Sequence, residues 1–241
     1  LGVKIYVIPG NHDINMTNAI GFRKDESYST ASVTPEQFVD IYKDYGFSSA
    51  IDRDTASLSY VNQLDTDTWL LAIDAARYKE KTTSSGRISS ATENWIINVL
   101  QAAKKQNKQV IAMMHWGITE HLMYQSEFFG NYLVEDWQRI APLLADNGMR
   151  FIFTGHFHAN DITMYQSERG NKIYDIETGT LSSYPYAYRF VDIHRDRIDI
   201  ETKNVTSIPQ NPNLAEDSKL VLRQIAINQA KRRLEKLGFD V

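Results

Sequence analysis

Three short apolar runs, each delivering the chain into histidine, constrain this sequence more than any other feature. Val3 to Ile8 passes through Pro9 into Gly10-Asn11-His12-Asp13, Val110 to Met114 runs into His115, and Phe151 to Thr154 runs into Gly155-His156-Phe157-His158. Val, Ile and Phe packed this densely predict strands covered on both faces, and the Pro9-Gly10 pair supplies a stop. Four of the six histidines stand at these three ends. In an open α/β sheet ligands gather where strands end, so Asn11, His12, Asp13, His115, His156 and His158 become candidate site residues. Each has a plainer alternative when taken singly, a polar turn or a core histidine. Neutral imidazole is also the commonest protein metal ligand, and coincidence at three ends is the weaker account.

In order and spacing these motifs resemble the second half of the calcineurin-like metallophosphoesterases, with the likeness running from Val3 to Asp199. The resemblance implies an α/β fold of the αββα sandwich type, two mixed sheets flanked by helices. The family opens with a strand ending Asp-x-His and a second ending Gly-Asp-x-x-Asp; neither precedes Gly10, so the first βα units are expected to be missing. It further implies that Asn11, His115 and His156 bind one metal ion and His158 belongs to a second. His12 would donate a proton to the leaving oxygen, and Asp13 would hold its imidazole in one tautomer. The intact protein would carry two divalent ions, Mn, Fe or Zn, ~3.5 to 4 Å apart and sharing a hydroxide that attacks phosphorus.

The carboxylate that bridges such ions belongs to the absent Gly-Asp-x-x-Asp motif. The expectation is therefore split: a parent that hydrolyses a small phosphomonoester or phosphodiester, and a fragment that binds at most one ion, weakly, with little or no activity. Two other readings stay open. One is a non-catalytic scaffold or binding member of the same fold; the other, a hydrolase with one metal and three protein ligands, fits the ligand count but not the Asn-His-Asp order. The motifs together with a long aromatic insert look like bacterial exported phosphoesterases, which implies a place outside the cytoplasm.

Composition narrows the chemistry. The sequence has no cysteine, which excludes disulfides, thiolate nucleophiles and Cys-type zinc sites and leaves N and O donors for any metal. A formal net charge of -4 lacks the basic footprint of a general nucleic-acid binder. No run reaches the roughly 18 apolar residues of a membrane span. Residue 1 is Leu and little precedes an interior strand, so the sequence looks like a piece of a longer protein. An exposed sheet edge or a C-terminal helix then invites a homodimer.

Along the chain, Ile14 to Val33 reads as a long polar loop with the length of a lid. Thr34-Pro35-Glu36-Gln37 opens a helix whose face is Phe38, Ile41, Tyr42 and Tyr45 and which Gly46 ends. Leu58 to Val61 and Thr68 to Ile73 read as strands, followed by Asp74 as a turn cap or site residue. Ser90-Ala91-Thr92-Glu93 starts a second helix, through about Gln106, with Lys104 and Lys105 on a solvated face. Ile118 to Tyr132 is an aromatic excursion, either a substrate wall or a loop packed on itself, with His121 structural. Glu135 to Asn147 is a third helix. From Asp161, four alternating runs predict an antiparallel meander that includes His194 as a surface residue. A phosphoesterase domain over residues 1–206, a Pro/Asn linker over 207–213 and an amphipathic helix within 214–241, ending near Leu237, complete the expected organisation.

Overall fold

The computed structural model describes residues 2–16, 19–79, 83–195, 197–236 and 238. They fall into two compact units, Leu1–Glu177 and Thr178–Val241. In the first unit the hairpin β1 (Ile20–Arg23) and β2 (Glu26–Ser29) is followed by α1 (Pro35–Ile41), β3 (Asp52–Arg53), β4 (Tyr60–Gln63), β5 (Thr68–Ile73), α2 (Ser90–Lys105), β6 (Gln109–Met114), α3 (Gln125–Phe129), α4 (Trp137–Asp146), β7 (Phe151–Thr154), β8 (Asp161–Gln166) and β9 (Lys172–Glu177). The second unit holds the hairpin β10 (Ala187–Ile193) and β11 (Ile198–Asn204) and the helix α5 (Leu214–Lys236).

Seven strands form one mixed sheet in the order β3-β4-β5-β6-β7-β9-β8. Its centre, β5, β6, β7 and β9, is parallel, and the flanking pairs are antiparallel. The two crossovers, α2 and α4, leave the C-terminal ends of β5, β6 and β7 on one rim. The period-2 alternation of a strand separates two cores across this sheet. Val61, Leu71, Ile73, Ala112 and Ile152 face α2 and α4, while Tyr60 and Ala72 face Phe38, Phe47 and Ile14. A bidentate pair from Arg139 to Glu93, at 2.9 and 2.6 Å, ties α4 to α2. No helix among the described residues is long and apolar enough to cross a membrane.

The α/β class and the mixed, helix-flanked sheet hold. Where the resemblance implies two sheets, the described residues form one of seven strands and two separate hairpins. The first expected strand is also missing among the described residues. Val3 to Ile8 pairs with no strand, and Val3 and Ile5 are exposed. Its backbone bonds elsewhere, Val7 N–H to the Tyr45 carbonyl at 3.1 Å and the Tyr60 hydroxyl to the Val7 carbonyl at 2.6 Å. An apolar run becomes a strand only where a neighbour completes its ladder.

Other expectations shift in detail. The Ile14 to Val33 loop contains the β1–β2 hairpin, turned at Lys24 with φ 53°. The helix from Thr34 has the full reciprocal cap, Thr34 Oγ1 to Gln37 N–H and Gln37 Oε1 to Thr34 N–H. The cap of α2 is Ser89 rather than Ser90, leaving Glu93 free to take Arg139. Asp74 closes its turn on Ala76 N–H and also accepts from Leu58 N–H and the Tyr78 hydroxyl. The meander is broken: β9 joins β7 in parallel, and β10 pairs only with β11 among the described strands. Helix α5 has no apolar face turned inward; Leu220, Leu222, Ile225, Ile227 and Leu234 are all exposed. Its expected end at Leu237 lies outside the described residues.

Candidate metal centre

Two loops from the sheet rim and the Gly10–Asp13 turn bring donor atoms together. His115 follows β6 directly, and its Nε2 lies 3.0 Å from Asn11 Oδ1 and 3.0 Å from His156 Nδ1. Gly10 allows this approach, since a Cβ there would stand 3.0 Å from the His115 ring. The turn after β7 is held by Gly155 N–H to the His115 carbonyl and closes with Phe157 N–H on the Gly155 carbonyl at 2.8 Å. Within it His156 and His158 both take left-handed backbone conformations, φ 67° and 61°. Such residues cost on the order of 1 to 3 kcal/mol each and persist only where their surroundings enforce them.

The three donors, with His12, His158, Met16, Thr83, Ser84, Asn131 and Tyr132, line a cavity of about 600 Å³. That volume is in the range of small-molecule sites. The second nitrogen of His156 donates to the Ser84 carbonyl at 3.0 Å, so its Nδ1 carries a lone pair aimed at His115. Burial, and then the neighbouring imidazoles, push His115 down to about 3. Burial likewise pushes His156 down to about 4, against the Ser84 and Asn131 backbone bonds and with His158 and His12 beside it. Both rings are therefore neutral near pH 7, the form that ligates metal.

His115 Nε2 thus stands within hydrogen-bond distance of two other atoms able to ligate a metal, Asn11 Oδ1 and His156 Nδ1. A cation could take a lone pair from each, since donors bonded to one ion at ~2.0 to 2.2 Å stand roughly 3 to 3.5 Å apart. These donors fit one divalent ion. They do not fit a pair: no Asp or Glu lines the cavity, and the described residues contain no group of three or more His, Cys, Asp or Glu able to hold a metal.

The sequence-predicted residues divide accordingly. Asn11, His115 and His156 meet; His12 and His158 line the same cavity without joining the hydrogen-bonded trio. The Asp13 carboxylate accepts Gly10 N–H at 2.7 Å and closes the turn. Ser84 escapes sequence reading because it acts through its backbone carbonyl. Tyr132 does belong to the aromatic excursion; its ring lies 4.8 Å from His156 and 5.2 Å from Phe157. His121 is structural, fully enclosed against Asp175 and Glu177. His194 pairs with Asp199 at the surface.

Imidazoles and a carboxamide at the C-terminal rim of a parallel-centred sheet define an α/β protein with a histidine-lined cavity at that rim. The profile of the calcineurin-like phosphoesterases matches residues 1–160, and the chain belongs to that family. A dimetal phosphatase from Danio rerio is similar in structure, with 12% identity and a TM-score of 0.48 over 62% of this chain. The chain covers 58% of that protein's length. No curated protein sequence gives a significant match.

Proposed function

We propose that this chain is part of a metal-dependent phosphoric ester hydrolase, in which Asn11, His115 and His156 hold one divalent ion, Mn, Fe or Zn. The observation that carries the reading is the meeting of Asn11 Oδ1, His115 Nε2 and His156 Nδ1 within 3.0 Å contacts. A bound divalent ion supplies Lewis acidity toward a phosphoryl oxygen. His12, exposed at the cavity wall, presents a ring nitrogen to a leaving oxygen, and Ser84 fixes the His156 tautomer. Three neutral ligands leave the ion's charge uncompensated, so binding is weak and turnover by residues 1–241 alone is small or nil. His158 is the one remaining imidazole in the cavity for a second ion, and it needs carboxylates that the described lining does not provide.

Calorimetric titration of the chain with Mn²⁺ is expected to give a single weak site, abolished by His115→Ala. Two tight sites refute the one-ion reading. In a full-length protein with added Mn²⁺, hydrolysis of a chromogenic phosphodiester is expected and is lost with His12→Ala. A full-length protein that binds Mn²⁺ but turns over no ester places the chain with the scaffold members instead.

A further inference from the structure

Two buried carboxylates outside the cavity lining accept hydrogen bonds from the two ends of the turn that carries its histidines. Asp175 and Glu177 stand two residues apart on β9, so they project from one face of that strand, and both are wholly enclosed. Asp175 Oδ1 accepts the hydroxyl of Thr154, the last residue of β7. Its Oδ2 accepts Ile118 N–H at 2.6 Å and Thr119 N–H at 3.1 Å. Glu177 Oε1 accepts the N–H of Ala159, the residue after His158, at 3.1 Å. One carboxylate therefore grips the turn where it begins and the other where it ends.

His121 lies between them. Its enclosed ring places Nε2 3.4 Å from Asp175 Oδ2 and 3.6 Å from Glu177 Oε2, and Nδ1 3.3 Å from Asp161 Oδ2. Packing alone does not call for such a cluster, since apolar side chains of similar volume often serve a core as well or better. The turn does call for it. Two successive left-handed histidines flanking Phe157 hold only where the surroundings over-determine them, and here those surroundings are two carboxylates on a sheet strand.

We propose that Asp175 and Glu177, kept in place by His121, are positioning residues that fix the Thr154 to Ala159 turn so that His156 and His158 face the cavity. The functional consequence rests on reading that cavity as a metal centre; the geometry does not.

The test compares Glu177→Met, which keeps the side-chain length and loses the acceptor for Ala159 N–H, with Glu177→Gln, which keeps both. Three readouts are used: the imidazole NMR signals of His156 and His158 in metal-free protein, Mn²⁺ affinity by calorimetry, and hydrogen exchange of the Ala159 amide in the unsubstituted protein. The Ala159 amide is expected to exchange slowly. Glu177→Met is expected to move both imidazole signals while the Trp95 and Trp137 indole signals stay, and to weaken Mn²⁺ binding roughly 10- to 100-fold. Glu177→Gln is expected to recover most of both, whereas a mere space-filling role is served equally by Met and Gln. The proposal is overturned by a fast-exchanging Ala159 amide, by unchanged imidazole signals and affinity in Glu177→Met, or by Gln performing no better than Met. If Glu177→Met does not fold, the Ala159 exchange rate in the unsubstituted protein decides. Failure of the metal reading is distinct: Mn²⁺ then binds none of the three proteins, while the imidazole signals still respond to Glu177→Met and support the positioning role.

Discussion

Asn11 decides the charge balance of the cavity. Its carboxamide oxygen sits 3.0 Å from His115 Nε2 and adds a third neutral donor to two neutral imidazoles. Affinity for a divalent ion rises with the number of charged ligands. Asn11→Asp is therefore expected to tighten Mn²⁺ binding by roughly tenfold or more. Unchanged or weaker binding in a calorimetric titration refutes the idea that missing negative charge limits this site. Glu177 makes a second prediction at this scale. Burial, with Asp175 beside it and His121 opposing, pushes its carboxyl up to about 8 from 4.5. A folded-state value above the unfolded one means stability that is full below pH 4.5 and lost as pH rises toward 8. Burial alone lowers His121, but the Asp175 and Glu177 carboxylates outweigh it and raise the ring above 6.5, so its contribution is lost in the same direction. The unfolding temperature of metal-free protein is expected to fall as pH rises from 6.5 to 8, and less steeply in Glu177→Gln. Parallel profiles exclude Glu177 as the cause. Side chains whose type carries chemistry, such as Asn11 and His115, are legible in sequence. The Ser84 carbonyl is not, because every residue has one, and Asp175 and Glu177 left only a faint sign, two acids spaced to one face of an otherwise apolar run.

At the level of elements, legibility followed whether a segment's partners were local. Helix α1 is specified by its own four residues: Thr34 caps, Pro35 presets the first turn and Gln37 answers back. Thr34→Ala removes the side-chain half of that cap and is expected to cost about 1 kcal/mol in a urea unfolding experiment, within the range for lost N-caps. A change near zero assigns the helix start to packing of Phe38 instead. The apolar runs behave differently, since strands need neighbours far away in sequence. Val110 to Met114 and Phe151 to Thr154 became β6 and β7 because each found parallel partners. Val3 to Ile8, equally apolar, found none and stayed irregular, yet still delivers Asn11 to the rim through its bonds to Tyr45 and Tyr60. The β1–β2 hairpin was illegible for the opposite reason: its turn uses Lys24 with a positive φ rather than the Asn-Gly or Asp-Gly that announces such turns.

For the molecule as a whole, the unabsorbed apolar surface is the outstanding physical fact. Helix α5 exposes Leu220, Val221, Leu222, Ile225, Ile227 and Leu234, and none of these is buried. The sequence suggested one apolar stripe. The residues instead spread around the helix, although Leu220, Ile227 and Leu234 recur at intervals of seven and so share one side. A seven-residue repeat suits a seam with a second helix of the same kind. The edge strand β8 adds Ile162 and Met164, also exposed, as a rival site for pairing. The two routes differ in what breaks them. If α5 mediates association, light scattering is expected to give twice the chain mass, and Ile227→Glu is expected to return it to the monomer value while Met164→Glu does not. If the sheet edge mediates it, the responses are reversed. A monodisperse monomer at micromolar concentration refutes both.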